Sequence, residues 1–223
     1  MRKEIRFEIS YSEFQKLKIL LNSTLRKDEN SKFSGEYTIK TIYFDNYYRE
    51  VEKDKKNDIN SVYKYRIRMY NNDDSNVFLE RKTNENGYIK KIKEKIDKEE
   101  VSNLLCGRFK NLLKEDECLK TELYIKMRLK SLRPSLLIEY TRNAWVDKLS
   151  NVRVTIDKEM KSTTDCRKFF GSVKSLPKEK YVLEVKWDKY LPDYILNIIQ
   201  LVQGKKMTKS KFMNELIKYN YEV

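Results

Sequence analysis

Basic side chains alternate with apolar ones along one segment of this chain, and this alternation limits what the chain can fold into. In residues 63–69, Lys64, Arg66 and Arg68 alternate with tyrosine, isoleucine and methionine. A period of two is typical of a β-strand, whose successive side chains point to opposite faces of a sheet. One face of the predicted strand therefore carries three cations, and the other face is apolar.

Several other segments predict strands of the same kind. Residues 37–45 are rich in tyrosine, threonine and isoleucine, which favour strands. Residues 136–142 break the alternation, because Glu139 and Arg142 have opposite parity and a β-bulge would be needed to align them. Charged and apolar positions alternate, or nearly so, in residues 4–9, 77–83, 152–157 and 183–187.

Helices are predicted between and after these strands. Ser10 with Glu13, and Asp97 with Glu100, have the spacing of a capping box ahead of apolar residues at helical intervals. Gly107 is a plausible end for the second of these helices. Further helices are predicted at residues 120–132, at 192–203 and from Thr208 or Ser210 onward, and residues 49–58 read as a solvated helix or loop. The predicted fold class is α+β, with mostly antiparallel strands and peripheral helices.

The charge balance indicates an anionic partner and excludes several kinds of catalysis. The chain has 48 Lys and Arg residues against 34 Asp and Glu, which gives a net charge of +14, and it has no histidine. Nucleic acid, an anionic membrane surface and a polyphosphorylated small molecule all fit such a charge. Without histidine, Ser-His-Asp catalysis, Cys-His catalysis and histidine-ligated zinc are excluded. No P-loop or Rossmann glycine motif is present, so side chains have to hold any bound phosphate.

Length and cysteine content predict one domain in a reducing compartment. The chain has 223 residues, which is within the size of one hydrophobic core, and we expect a single domain over residues 1–223. Three widely spaced cysteines, Cys106, Cys118 and Cys166, form no zinc or disulfide pattern. No apolar run is long enough for a membrane span. These features predict a cytoplasmic protein.

The charged strand faces have two interpretations. An open sheet often shows one polar face to water, and this explains any single strand. Over five or more strands, however, the concentration of arginine with isolated glutamates favours a functional face. If the strands close into a barrel, the charged faces line its lumen and the amphipathic helices cover its apolar outside. Glu80 is then expected to pair with a cation such as Lys82, and Glu184 either pairs with a cation or binds Mg²⁺ or Mn²⁺.

The ordered set of motifs resembles the VTC domain family of polyphosphate polymerase domains, within the triphosphate tunnel metalloenzyme (CYTH-like) superfamily. The motifs are Tyr-Arg-Ile-Arg at 65–68, Leu-Glu-Arg-Lys at 79–82, Tyr-Thr-Arg at 140–142, Val-Arg-Val-Thr-Ile-Asp at 152–157, Leu-Glu-Val-Lys at 183–186 and Ser-Lys-Phe at 210–212. The resemblance implies an eight-stranded antiparallel β-barrel that forms a tunnel with a charged lumen. It also implies that the tunnel holds a triphosphate or polyphosphate chain together with a divalent cation, Mn²⁺ or Mg²⁺.

The resemblance also implies roles for individual residues. Glu184 would hold the metal, and Tyr140 could stack on a nucleotide base. One departure is that Arg6 stands where family members usually have lysine, and Glu4, Arg6 and Glu8 do not form the E-x-E-x-K pattern of the superfamily's hydrolases. The residues implied to grip phosphate in catalysis are Arg66, Arg68, Lys82, Arg142, Arg153 and Lys211. Further phosphate-binding residues are Arg6, Lys64, Lys91, Lys186 and Lys209.

The function expected from these features is metal-dependent polyphosphate synthesis. The γ-phosphoryl group of a nucleoside triphosphate, with ATP as the expected nucleotide, would pass to a growing polyphosphate chain. A triphosphatase, in which water replaces the acceptor phosphate, is the nearest alternative. A noncatalytic module that binds polyphosphate or nucleic acid is a third possibility. Nucleic acid is disfavoured because the aromatic residues mostly lie opposite the cations on the same strands.

Overall fold

The protein has an α+β fold, and the described residues form ten strands in an antiparallel sheet and five α-helices. The computed structural model describes residues 3–31, 35–50, 63–85, 88–114, 118–174, 179–208 and 211–218. The strands are β1 (Lys3–Ile9), β2 (Arg26–Lys27), β3 (Glu36–Asp45), β4 (Lys64–Tyr70), β5 (Val77–Glu85), β6 (Tyr88–Lys95), β7 (Arg133–Asp147), β8 (Val152–Thr163), β9 (Tyr181–Trp187) and β10 (Lys205–Lys206). The helices are α1 (Tyr11–Thr24), α2 (Lys98–Leu105), α3 (Leu119–Leu129), α4 (Asp193–Gln200) and α5 (Lys211–Lys218).

The order of strand pairing differs from the closed eight-stranded barrel that we expected. Hydrogen-bonded neighbours follow the order β10-β1-β9-β8-β7-β3-β4-β5-β6, and β2 pairs with β7 beside this path. Among the described residues, no pairing joins β10 to β6, so the path of hydrogen bonds is open. The strand count also differs because β2 and β10 are only two residues long, and two residues are too few to produce an alternating pattern in the sequence.

Contacts between residues divide the chain into two compact units. The first comprises Met1–Thr38, Tyr140–Lys161 and Leu176–Ser210, and the second comprises Ile39–Glu139, Ser162–Ser175 and Lys211–Val223. The single domain expected from the length stays a prediction.

The apolar core of the first unit lies on one face of β1, β8 and β9. Helix α1 contributes Phe14, Leu17 and Leu21 to this core, and α4 contributes Ile195 and Ile198. The strands contribute the residues of the predicted apolar parity, namely Ile9, Val152, Val154, Ile156, Leu183 and Val185. Because the apolar positions of each strand are buried on this face, the charged positions of the same strands lie on the opposite face.

The core of the second unit is built in the same way on β4 and β5. Tyr65, Ile67, Met69, Val77 and Leu79 are buried in it. Helix α2 covers them with Val101 and Leu104, and α3 does so with Leu119, Leu123 and Met127. The helices therefore cover the apolar strand faces, as the sequence predicted.

The helix ends confirm the capping predictions. The Ser10 side chain accepts a hydrogen bond from the Glu13 amide, Asp97 accepts one from the Glu100 amide, and each glutamate bonds back to its cap. Helix α2 ends at Leu105, two residues before Gly107, whose φ of 80° is accessible to glycine. Among the helices of the described residues, none is both long enough and apolar enough to cross a membrane. Most of the solvated segment predicted at residues 49–58 lies outside the described residues.

Two strand predictions need correction. Strand β6 was not predicted, because Ile89 and Ile92 have opposite parity and lysines occupy both faces, as is common for a strand at the edge of a sheet. The bulge between Glu139 and Arg142 is not needed to align them, because Glu139 pairs with Lys40 and Arg142 pairs with Asp157. Each charged side chain has a partner on its own side of the strand.

Close backbone contact at Gly204 allows β10 to pair with β1. A Cβ atom on Gly204 would lie 2.2 Å from the carbonyl oxygen of Glu8, whereas one on Gly171 would be 3.8 Å from its nearest neighbour. We expect Gly204→Ala to lower the free energy of unfolding by about 2 kcal/mol because β10 has to move away from β1. This corresponds to a fall in Tm of roughly 4–8 °C.

Thermal unfolding followed by circular dichroism measures this effect, and Gly171→Ala is the matched control. The control removes the same glycine flexibility without a clash, so its Tm should stay close to that of the wild type. Equal Tm values for the two variants would contradict the close packing of β10 on β1.

Candidate functional site

The charged face of the second unit carries rows of basic side chains across three strands. Lys64 of β4 is directly opposite Lys82 of β5, and Lys82 is directly opposite Lys91 of β6. Residues that are directly opposite in an antiparallel pair point to the same face, and like charges there repel each other. Arg66 and Arg68 lie on the same face of β4. We call these five residues, together with Glu80, the second-unit cluster.

Glu80 is the acidic residue of the second-unit cluster and lies fully buried among its cations. Its carboxylate is 2.6 Å from Arg66 Nε, 2.6 Å from Lys91 Nζ and 4.0 Å from Arg68 Nη1. Burial alone would raise the pKa of Glu80, but the charges of Arg66, Arg68 and Lys91 outweigh burial and lower the pKa to about 2. The ion pair expected for Glu80 therefore exists, with Arg66 and Lys91 as its closest cationic partners.

Aromatic residues continue this face beyond the cations. Phe78 is directly opposite Arg68 and meets Tyr70 edge to face, with ring centroids 6.4 Å apart. The ammonium group of Lys93 is 3.3 Å from the Phe78 ring centroid. Burial tends to raise the pKa of Tyr70, but the nearby Arg68 charge lowers it overall. Sequence reasoning missed these aromatics as neighbours of the site, although Tyr70 and Phe78 have the same parity as the cations on their strands.

The charged face of the first unit is a network of ion pairs on β1 and β9. Arg6 is directly opposite Glu184, and Glu4 is directly opposite Lys186. Arg6 Nε donates to Glu184 at 2.9 Å, and Lys186 Nζ donates to its other oxygen at 2.5 Å. Arg6 also pairs with Glu4, and Lys186 lies 3.6 Å from Glu4. Both glutamates therefore share the same two cations.

Two further arginines of the first unit have carboxylate partners. Arg142 donates to both oxygens of Asp157, at 2.6 and 2.8 Å, and the pair is buried. Burial would lower the pKa of Arg142, but the Asp157 charge raises it well above its usual value. Arg153 donates to the Tyr37 hydroxyl at 2.8 Å and lies 3.0 Å from Asp28. We call Arg6, Arg142, Arg153 and Lys186 with these carboxylates the first-unit cluster.

The two clusters differ in how their charges are arranged. In the first-unit cluster, four cations contact four carboxylates, from Glu4, Asp28, Asp157 and Glu184. In the second-unit cluster, Glu80 pairs with Arg66 and Lys91, and lysines of neighbouring strands lie directly opposite one another. The alternation of the sequence placed Glu4 and Asp157 on the charged faces, but it gave no signal for Asp28 and Tyr37, which reach Arg153 from distant segments.

Glu184 and Glu4 are the carboxylates that best match a hard divalent cation. Mg²⁺ and similar cations bind through one or two carboxylates, with phosphates and water completing the shell. No group of three or more His, Cys, Asp or Glu residues suited to a metal occurs in the described part of the chain. This donor set therefore fits a cation that binds together with phosphate, and it does not form an all-protein cage.

The remaining predicted site residues fall in three different places. The Tyr140 ring is buried, with the Arg142 guanidinium 5.4 Å from its centroid, so a base could stack there only after side chains move. Lys211 is the first residue of α5, whose Phe212 stacks on Tyr43 at 5.0 Å. Lys209 lies outside the described residues. The roles implied for these residues stay predictions.

Comparison with known proteins gives a family match and several similar folds. The family model described as the VTC domain matches residues 1–219. No curated protein matches the chain.

Three solved structures share the fold at low sequence identity. A Hippeastrum protein, described as an adenylyl cyclase candidate with a dominant triphosphatase activity, has 15% identity and a TM-score of 0.54, with 96% of this chain and 94% of that chain covered. An adenylate cyclase candidate from Bacillus halodurans has 12% identity and a TM-score of 0.54, with 96% and 97% covered. A protein from Pyrococcus horikoshii OT3 has 15% identity and a TM-score of 0.52, with 98% and 99% covered.

Replacing Glu80 tests the electrostatics of the second-unit cluster. Because the pKa of Glu80 falls from 4.5 to about 2 on folding, its charge stabilises the fold above pH 4.5. That contribution is lost as the pH falls from 4.5 towards 2. The difference of 4.5 − 2 corresponds to about 3 kcal/mol. We expect Glu80→Gln to lower the free energy of unfolding at pH 7 by about this amount and to flatten its dependence on acid pH.

Urea unfolding at pH 7 and at several acid pH values measures both effects. Glu99→Gln is the control, because Glu99 is exposed on α2 and its replacement should leave stability nearly unchanged. If Glu80→Gln lost stability between pH 4.5 and 2 as steeply as the wild type does, the acid response would come from other groups.

Proposed function

The chain belongs to the VTC domain family, and we propose that it is a metal-dependent enzyme that acts on triphosphates. In its finer form, the proposal is a polyphosphate polymerase that transfers the γ-phosphoryl group of ATP to a growing polyphosphate chain. A tunnel lined by charged strand faces, as the family resemblance implies, and a cytoplasmic location are further parts of this proposal.

The single observation that carries the proposal is the lysine row of the second-unit cluster. Lys64, Lys82 and Lys91 face one another across three adjoining strands. Like charges that are directly opposite on one strand face repel each other, and Glu80 lies among them as the counter-charge of Arg66 and Lys91. A polyanion offsets this repulsion, because its negative charges follow one another along a chain. Triphosphate and polyphosphate have this charge pattern.

The chemistry follows from positioning and electrostatics. In phosphoryl transfer, negative charge spreads over the oxygens of the transferred group, and positioned cations stabilise it. Arg66 and Arg68 offer planar guanidinium groups that can donate two hydrogen bonds to one phosphate, and Lys82 offers a compact charge. The acceptor in polymer growth is a phosphate that is already ionised, so little general base is needed. This agrees with a chain that has no histidine.

The first-unit cluster would hold the divalent cation through Glu184, with Glu4 beside it. When bound, Mn²⁺ or Mg²⁺ neutralises phosphate charge. Arg6 and Lys186 contact both glutamates and keep their carboxylates ionised and oriented.

A triphosphatase is the second candidate. The Hippeastrum protein with a similar fold is described by a dominant triphosphatase activity, and water could replace the acceptor phosphate without any change in the cationic side chains. A noncatalytic module that binds polyphosphate is the third candidate. All three candidates require a polyphosphorylated anion to bind. They differ in whether a phosphoryl group is then transferred to phosphate, transferred to water or not transferred.

Incubation of the pure protein with ATP and Mn²⁺ or Mg²⁺ distinguishes these candidates. A polymerase produces polyphosphate chains on a polyacrylamide gel, whereas a triphosphatase releases orthophosphate from ATP or tripolyphosphate without chain growth. We expect chain growth, and we expect Arg66→Ala to reduce it about 100-fold, because one donor to developing charge is removed.

Arg167→Ala is the matched control. Arg167 is exposed and pairs with Asp165 outside both clusters, so its loss removes one positive charge without changing the site. An equal reduction by both variants would show that the effect is one of net charge. If the wild-type protein forms no polymer and releases no orthophosphate, that result contradicts an enzymatic function.

A further inference from the structure

Thr155 lies at the centre of the charged face of the first unit and has no role in the ion pairs there. It follows Arg153 and precedes Asp157 at two-residue intervals on β8, so the three side chains share one face. Thr155 is directly opposite Glu184 of β9. The residue is 2% exposed, as buried as most residues of the apolar core.

The Thr155 hydroxyl has no hydrogen-bond partner among the described residues. Glu184 is directly opposite, but the hydroxyl does not donate to it. The two carboxylate oxygens of Glu184 already accept hydrogen bonds from Arg6 and Lys186. A buried polar group without a partner costs free energy, and most such groups in proteins are satisfied. A valine would fill the same space without this cost. The hydroxyl is therefore best explained by a partner other than the residues that the structure describes.

Arg153 shows the same feature two residues away. The Nη2 atom of Arg153 donates a hydrogen bond to the Tyr37 hydroxyl and forms an ion pair with Asp28. The Nε atom is buried and has no hydrogen-bond partner in the described part of the chain. An arginine Nε–H can only donate a hydrogen bond. A partner that satisfies both side chains must therefore present acceptor atoms. Side chains two residues apart on one strand face start about 6.6 Å apart, so that partner needs several acceptor oxygens.

We propose that the Thr155 hydroxyl and Arg153 Nε–H donate hydrogen bonds to phosphate oxygens of the substrate. This assignment rests on the proposed function and adds Thr155 to its binding residues. It also gives Arg153 a defined task, since Tyr37 and Asp28 hold one end of the guanidinium and leave Nε–H directed to the ligand. A water molecule on the hydroxyl is the competing explanation, and the experiment below separates the two.

Thr155→Val tests the assignment, because valine keeps the shape and removes only the hydroxyl. Calorimetric titration with tripolyphosphate is expected to give a Kd about tenfold higher than that of the wild type, the usual loss for a hydrogen bond to a charged group. Thr155→Ser keeps the hydroxyl and should bind within about twofold of the wild type. Without ligand, Thr155→Val should melt at the wild-type temperature or about 2–4 °C higher, since a buried unsatisfied group is gone.

Thr83→Val is the matched control. Thr83 is also 2% exposed, but its hydroxyl donates to the Lys90 carbonyl at 3.4 Å. Thr83→Val should therefore lower the Tm and leave the Kd for tripolyphosphate unchanged. A ligand-binding hydroxyl is therefore indicated if Thr155→Val weakens binding without lowering the Tm, while Thr83→Val lowers the Tm without weakening binding.

The outcomes separate this assignment from the proposed function. If wild-type protein binds tripolyphosphate and Thr155→Val binds it equally well, the hydroxyl does not contact phosphate and the assignment is wrong. A Thr155→Val variant that melts lower than the wild type, or does not fold, also overturns it, because the hydroxyl then has a structural role. If the wild-type protein itself does not bind tripolyphosphate, the proposed function fails together with the assignment.

Discussion

Repulsion between basic side chains that share one strand face is the constraint on which the rest of this structure depends. The apolar side chains of β4 are buried under α2 and α3, so Lys64, Arg66 and Arg68 must share the other face of the strand. Pairing with β5 and β6 then brings Lys82 and Lys91 opposite them. Glu80 makes this arrangement possible in the free protein, because it is buried where it meets Arg66 and Lys91 together. The hydrophobic core and the charged face are thus set by the same alternation.

Positive charge is arranged differently in the two clusters. In the first-unit cluster, each cation has a carboxylate partner, and the buried pair of Arg142 with Asp157 is fixed by two hydrogen bonds. Breaking such a pair from one side is costly because it leaves a buried charge alone. In the second-unit cluster, Glu80 is shared by Arg66 and Lys91, and Lys64, Lys82 and Lys91 form a row of like charges. The first-unit cluster is therefore suited to hold side chains in a fixed geometry, and the second-unit cluster is suited to attract an anion.

The sequence predicted the strand faces well because a period of two depends only on neighbours along the chain. The charged parity of β4, β8 and β9 and the two capping boxes follow from local spacing. An ion pair of Glu80 was also expected, but its closest partners, Arg66 and Lys91, come from the neighbouring strands and not from the local position of Lys82. The sequence failed where partners come from distant segments, as for Asp28 and Tyr37 around Arg153, or where an edge strand such as β6 carries lysines on both faces. Local spacing also could not show that the Thr155 hydroxyl has no hydrogen-bond partner among the described residues, since that depends on every neighbour in space.

The low pKa of Glu80 has a consequence for how a pH profile of this protein should be interpreted. The carboxylate stays ionised from about pH 2 upwards, and the chain contains no histidine, the side chain that ordinarily titrates between about pH 5 and 8. Near neutrality, Glu80 therefore does not change its charge. The terminal phosphate of a ligand does change charge there, since the second pKa of a phosphate ester is about 6. A bell or step in that range is therefore not caused by Glu80 or by a histidine, and the ionisation of the small molecule is the explanation to test first.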